Sequence, residues 1–208
     1  MKIDSSNEQK CTLGPVRFSY MNLFHPRTND SGQKEYTCTF LIPKEANGFC
    51  KDPQAEIDGI KACTTAAAKA GQDRLKGKDG KVSPNWTRPL KDGDEDGKYP
   101  GYWHISAKAF GEDTEGNEKI GPTIVGADNV PIPNGFVSGD WGKVMLFFHT
   151  YNVKGKQGVC AKINKVQCLY KDEPFGKGED EFEPVEDATL VGAAAAPADL
   201  EFDPFSED

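Results

Sequence analysis

Rings and cations alternate in several stretches of this 208-residue chain. The main ones are W-T-R-P-L-K (86–91), Y-W-H-I-S-A-K-A-F (102–110) and K-V-M-L-F-F-H-T-Y (143–151), with K-Y at 98–99 and K-G-K at 154–156. Aromatic faces stack on unpaired bases whatever the base, and cations follow the phosphates. Both types on one exposed surface are what binding a single-stranded nucleic acid requires. The candidates are Trp86, Arg88, Lys91, Lys98, Tyr99, Tyr102, Lys108, Phe110, Lys143, Phe147, Tyr151, Lys154 and Lys156. The competing account is structural: strand aromatics are mostly core, and a single lysine is mostly a solvated charge. Stacking and backbone tracking suit RNA as well as DNA.

Other chemistry finds less support. His25, His104 and His149 show no metal-ligand spacing, and no G-x-S-x-G, H-E-x-x-H or P-loop occurs. D-G-D-E-D-G (92–97) lacks the spacing and the closing glutamate of a calcium loop. A nuclease holding a divalent ion on Asp92, Asp94 and Asp96 is the one enzymatic rival, and a solvated turn is the simpler account. The six cysteines are scattered without a C-x-x-C, as expected of free thiols in a reducing compartment. No enzyme, metal or cofactor is expected.

The elements that must hold the candidates are mostly strands. Residues 13–24 read as a strand with Val16, Phe18 and Tyr20 on one face and Arg17 and Ser19 on the other. Residues 25–32 read as a loop. Residues 34–42 follow with Tyr36, Cys38, Phe40 and Ile42 opposed to Glu35, Thr37 and Thr39. Asp52 and Pro53 form a helix start, and Ile57, Ile60, Cys63, Ala67 and Ala70 recur at helical spacing towards Leu75, with Gly77 as the stop. Residues 76–98 read as a long loop, a length usually reserved for function.

Strand 101–110 places Trp103, Ile105, Ala107 and Ala109 inward and Tyr102, His104, Ser106, Lys108 and Phe110 outward. Short extended pieces are expected at 122–126 and 130–132. Strand 143–151 places Val144, Leu146 and Phe148 inward, and a turn at 152–158 leads to a last strand at 159–170. Five strands with one helix between the second and third predict a mainly β chain, an OB-fold five-stranded antiparallel barrel.

Charge divides the chain. Residues 172–208 carry 13 acids against one base, Lys177, a net of −12; residues 1–171 hold the other 20 acids and 24 bases, a net of +4. The expected organisation is a binding domain over 1–171 and a disordered acidic tail over 172–208. Such a tail can compete for the body's own anion site. A solubilising role explains its acids but not Phe202 and Phe205, which read as anchors for partner proteins with Asp203, Glu207 and Asp208 steering the approach. No apolar run spans a bilayer, and the N-terminus has no secretory h-region, so a cytoplasmic place of action is expected.

Several of these stretches, in this order, resemble phage single-stranded DNA-binding proteins of the T7-like type. They are G-P-V-R-F-S-Y-M-N-L-F (14–24), L-I-P-K (41–44), P-L-K-D-G-D (89–94), Y-P-G-Y-W-H-I-S-A-K (99–108), V-S-G-D-W (137–141) and G-V-C-A-K-I-N-K-V-Q (158–167). The resemblance covers about 11–170, and the acidic, aromatic end matches in kind. It implies an OB-fold core, sequence-tolerant binding of single strands in an infected bacterial cell, and a tail that contacts replication proteins such as DNA polymerase or helicase. The zinc module of some other phage binding proteins is missing, so folding without metal is expected. Here Ser206, Glu207 and Asp208 follow Phe205, so docking through a free carboxylate beside the ring does not carry over. A homodimer is compatible with this reading. The rivals are a strand-annealing recombination protein, separated by an annealing assay, and a protein–protein adaptor, separated by absence of DNA-induced tryptophan quenching.

Overall fold

The computed structural model describes residues 1–77, 80–113 and 115–175. The expectations for the acidic tail beyond residue 175, including Phe202, Asp203, Phe205, Glu207 and Asp208, fall outside the described residues.

Five strands close a barrel. β2 (Asn7–Thr28) pairs antiparallel with β3 (Lys34–Pro43) and with β7 (Trp141–Val153). β3 pairs with β5 (Tyr102–Phe110), and β7 pairs with β8 (Lys156–Tyr170). A short parallel contact, Ala107 and Lys108 against Ala161 and Lys162, joins β5 to β8 and completes the circle. Short strands decorate the edges: β1 (Lys2–Asp4) on β2, β4 (Leu90–Asp92) on β5 and β6 (Thr123–Val125) on β8. The mainly β barrel expected from the pattern is the fold observed.

Alternation places the core as expected on most strands. Leu13, Val16 and Phe18 meet Phe40, Ile105, Val144, Leu146, Phe148 and Ile163 inside, with Phe18 edge-on to Phe40 at 5.0 Å between centroids. The first strand is longer than its apolar run, because its start pairs with β7 and its end with β3. Bulges make this double service geometrically feasible, since each bends and twists the strand. They fall between Leu13 and Val16, Ser19 and Asn22, and Asn22 and Arg27. Gly14 sits at the first, at φ 114°, where a side chain would strike the backbone of Gly142 and Lys143.

Helix α1 (Pro53–Ala70) packs on β2 and β7. Asp52 accepts from the Ala55 amide at 3.0 Å, and Ile57, Ile60, Cys63 and Ala67 are buried. On its buried face Glu56 accepts from the Gly14 amide at 3.0 Å and pairs with the Met1 amino group at 2.8 Å. The helix ends earlier than its periodicity implied: Gly71 donates to the Ala67 carbonyl, Ala70 is exposed, and a 3-10 turn over Gln72–Leu75 buries Leu75 instead.

The barrel unit runs from Met1 to Phe175, past the charge break at residue 171. Trp141 donates its indole N–H to Asp172 at 2.8 Å, and Arg17 donates to the Glu173 carbonyl at 2.9 Å. The Arg17 guanidinium lies 4.2 Å from the Phe175 ring centre. No helix among the described residues is long and apolar enough to cross a membrane.

Candidate nucleic-acid interface

The outer face of β3 and β5 is the floor of an open cleft of about 580 Å³. Thr37 and Thr39 point into it from β3, and Ser106 and Lys108 from β5; the Thr39 and Ser106 hydroxyls lie 2.9 Å apart. This is the face the alternation had set against the core in both strands. A smaller cleft of about 180 Å³ continues it, sharing Lys91, His104, Ser106 and Cys160 and adding Arg88 and Tyr151.

The loop at 92–101 builds one wall, and two sequence motifs meet there. Lys44, from L-I-P-K, holds Asp92 and Asp94 of P-L-K-D-G-D, each at 2.5 Å. That ammonium keeps both carboxyls below the usual aspartate range. Gly93 between them is required, since a side chain there would strike the Tyr99 and Tyr102 carbonyls. Asp94 also accepts from the Gly101 amide at 2.7 Å, and Asp96 lies 2.8 Å from His104 Nε2. The three aspartates that a metal-dependent nuclease would use are therefore each engaged by a protein cation, amide or imidazole. The loop so held presents Lys98 and Tyr99 to the cleft, with Tyr99 tilted on His104 at 5.0 Å and its hydroxyl 3.3 Å from Ser19 Oγ.

The thirteen candidates separate into groups. Lys91, Lys98, Tyr99 and Lys108 line the main cleft, and Arg88 and Tyr151 line its continuation. Trp86 is half-buried against the core, with the Arg88 guanidinium 4.5 Å over its ring. Tyr102 sits at the start of β5 opposite Pro43, outside both clefts. Phe110 is exposed at the other end of β5, with the Lys108 ammonium 4.8 Å from its ring centre. Lys154 and Lys156 are exposed at the β7–β8 turn, which the Thr87 bridge to Gly158 ties to the loop carrying Arg88. Lys143 and Phe147 lie on β7, and β8 separates β7 from β5, so they lie outside the main cleft and are not direct neighbours of the β5 candidates.

Three further expectations change. His104 was placed outward but is 4 % exposed, because the 92–101 loop folds over it. Residues 76–98 contain β4, which widens the sheet beside the cleft. Tyr20 was placed on one strand face with Val16 and Phe18, which are buried, but is 75 % exposed. The bulge after Ser19 puts it at φ 45° and turns its ring out to the cleft edge.

Tyr20 is thus a cleft-lining residue that periodicity hid, since nothing in S-Y-M-N announces a bulge. Arg27 and Glu35 were missed as site residues too. Arg27 lay in a segment read as loop, although Glu35 was correctly set on the non-core face. Glu35 is 3 % exposed and accepts from Arg27 at 2.9 Å, Lys108 at 3.2 Å and Asn29 at 3.3 Å. Burial pushes its carboxyl up, but those donors outweigh it and hold the group ionised below the usual glutamate value. Lys91 and Lys98 pair with no described acid.

Cys160, at the cleft floor, has its sulfur 3.2 Å from His149 Nε2. Burial pushes the thiol up and the imidazole down, so the proton stays on sulfur and the pair is no activated nucleophile. Among the described residues no group of three or more His, Cys, Asp or Glu side chains is arranged to hold a metal ion.

A closed five-stranded barrel with a cationic, tyrosine-edged cleft on its second and third barrel strands is the architecture of an OB-fold nucleic-acid-binding protein. The sequence profile of the family described as Enterobacter phage Enc34, ssDNA-binding protein, matches residues 9–190, and the chain belongs to that family. That family is one of binding proteins rather than enzymes.

Among solved structures, the single-stranded DNA-binding protein from bacteriophage Enc34 in complex with ssDNA is 25% identical, with a TM-score of 0.61, covering 81% of this chain and 90% of that one. A C-terminal truncation of the Enc34 protein is 23% identical, with a TM-score of 0.60 over 80% of this chain and 88% of that one. The single-stranded DNA-binding protein gp2.5 of bacteriophage T7 is 19% identical, with a TM-score of 0.57 over 82% and 91%, a likeness of fold. No curated protein matches the chain.

Proposed function

We propose that this protein binds single-stranded DNA in the β3–β5 cleft without base-sequence preference. It coats strands exposed during phage replication, recombination and repair in the host cytoplasm. One observation carries the reading: unpaired Lys91 and Lys98 stand in one cleft with the rings of Tyr20 and Tyr99. Phosphates meet the ammonium groups while bases stack on the rings. Hydroxyls of Thr37, Thr39 and Ser106 line the floor between them without selecting a base. Arg88 and Tyr151 extend the path, and Lys154 and Lys156 flank it. Membership of the Enc34 family supports the choice of ligand.

The acidic segment beyond the barrel competes with the strand for the cleft, rejecting weak anions, and recruits replication proteins such as DNA polymerase or helicase through Phe202 and Phe205. The deciding experiment is a titration with oligo-dT and with a duplex at two salt concentrations. Tight, salt-dependent binding of oligo-dT with weaker duplex binding is expected. Folded protein that ignores oligo-dT at low salt refutes the proposal. Removing residues 176–208 is expected to tighten binding, chiefly at low salt.

A further inference from the structure

The two lysine-bearing strands beside the cleft carry a surface that runs on from it. Strands β7 and β8 span Trp141–Val153 and Lys156–Tyr170; with the turn between them they carry Lys143, Lys154, Lys156, Lys162 and Lys165 and not one Asp or Glu. The chain as a whole has a net charge of −8, so this hairpin is its cationic exception. Register shows how these groups align. Lys10 of β2 stands opposite Phe147 of β7, Phe147 opposite Lys162 of β8, and Lys162 beside Lys108 of β5.

Directly opposed residues share a sheet face. Here it is the outer one, since the flanking Cys11, Leu146, Phe148, Ala161, Ile163, Ala107 and Ala109 are all buried. Lys10, Phe147, Lys162 and Lys108 therefore form one row across the barrel. The row spans three strand spacings, about 14 Å, and begins at the cleft itself. Lys165 lies in the next row, opposite Met145. Past Phe147 a shallow depression lined by Lys2, Asp4, Lys10, Thr12 and Met145 continues the track; Asp4 there is hydrogen-bonded to Ser6.

None of Lys10, Lys143, Lys162 and Lys165 makes an ion pair with a described residue, whereas Lys108 is held by Glu35. Phe147 is half-buried and lies nearly parallel to His149, at 13° and 5.9 Å between centroids. Clustered cations repel one another, which a polyanion relieves; of the described acids, only Asp4 shares the depression with Lys10.

We infer that the row is a second segment of the binding path: a strand leaving the cleft at Lys108 crosses β8 and β7, with phosphates on Lys162, Lys165 and Lys10 and one base against Phe147. The inference rests on the cleft reading and adds a direction and a length to it. Its physical signature is an affinity that grows with strand length through charge. Each phosphate contact on single-stranded DNA contributes about 0.7 to the slope of log K against log salt, so three lysines contribute about 2.

The test compares the full chain with Lys10→Gln/Lys162→Gln/Lys165→Gln and with a charge-matched control, Lys51→Gln/Lys69→Gln/Lys119→Gln. The probes are oligo-dT of about 5 and about 15 nucleotides, near the two ends of the range an OB-fold covers. For the long probe, the first triple variant is expected to lower the salt slope by about 2, so that its affinity drop between about 50 and 200 mM salt is roughly 20-fold smaller than that of the unmodified chain. Its gain in affinity from short to long probe shrinks while the control keeps that gain. Lys162→Glu alone, at an exposed position, is expected to act in the same direction by repulsion. Equal length dependence and salt slope in the triple variant and the control overturn the inference and leave the cleft standing. Failure of the unmodified chain to bind either probe removes the cleft reading and this extension together.

Discussion

Replacing Glu35 with glutamine sets stability against affinity. The carboxylate is the lone acid among the cleft-lining side chains, facing Arg27, Lys91, Lys98 and Lys108. It accepts from Arg27, Lys108 and Asn29 at 2.9, 3.2 and 3.3 Å. Glutamine keeps one acceptor oxygen and turns an NH2 donor towards those donors. The charge-assisted bonds lost are each worth about 1.5–3 kcal/mol when buried, but the Arg27 and Lys108 side chains are about half exposed, at 58% and 47%. Solvent screening reduces the net loss to about 1–2 kcal/mol. In a chain of this size that lowers Tm by about 2–8 °C.

The same substitution removes the one negative charge a phosphate must approach. If one more cation becomes free to pair with DNA, the salt slope steepens by about 0.7, and affinity at about 50 mM salt rises about threefold relative to about 200 mM. Thermal melting and fluorescence anisotropy with oligo-dT read the two effects on one sample. Unaltered or weaker DNA binding with an unchanged slope refutes the argument, and shows that Glu35 aims the cations rather than opposing the ligand. Acid pH supplies a second check. Because the native carboxyl is held below its unfolded value, its stabilisation is present above the ordinary glutamate value and is lost as pH falls through the depressed native one. Glu35→Gln therefore loses less stability than the unmodified chain over that acidic window.

Tyr20→Ala is expected to weaken oligo-dT binding by about 1–3 kcal/mol, or roughly 5- to 150-fold, while Tyr20→Phe retains it. Since the ring is 75% exposed, melting is expected to shift by no more than about 0.5 kcal/mol; intact affinity in folded Tyr20→Ala would remove this ring from the site. Lys44→Met removes the cation shared by Asp92 and Asp94, so hydrogen exchange at the Gly93 and Gly101 amides should accelerate and DNA affinity should fall as Lys98 and Tyr99 lose their fixed position. Unchanged exchange and affinity would show that the loop holds itself.

Local signals carried much of the architecture. The alternation over 34–42, 101–110 and 143–151 located inward and outward faces because side-chain direction in a strand has a period of two and needs no partner to define it. Asp52 and Pro53 marked the helix start for an equally local reason, the need to satisfy free amides in the first turn. Part of the cleft lining was legible as well. Lys91, Lys98, Tyr99 and Lys108 lie together in the cleft, with Arg88 and Tyr151 beside it.

Neighbours around the barrel were decided only by the tertiary structure. The parallel contact of Lys108 with Lys162 inserts β8 between β5 and β7 and sets Phe147 and Lys143 a further strand or more from the cleft, a pairing between residues far apart in the chain that no local pattern encodes. Bulges are equally silent in sequence: one irregularity after Ser19 reverses the side-chain phase and turns Tyr20 away from the face of Val16 and Phe18 to the cleft edge. Burial of His104 beneath the 92–101 loop, and of Glu35 among Arg27, Asn29 and Lys108, arises in the same way. The sequence by itself determined which side chains carry the rings and charges that the proposed ligand calls for, because that depends on residue type. Their order along a path depends on strand pairing and phase, which exist only once the barrel closes.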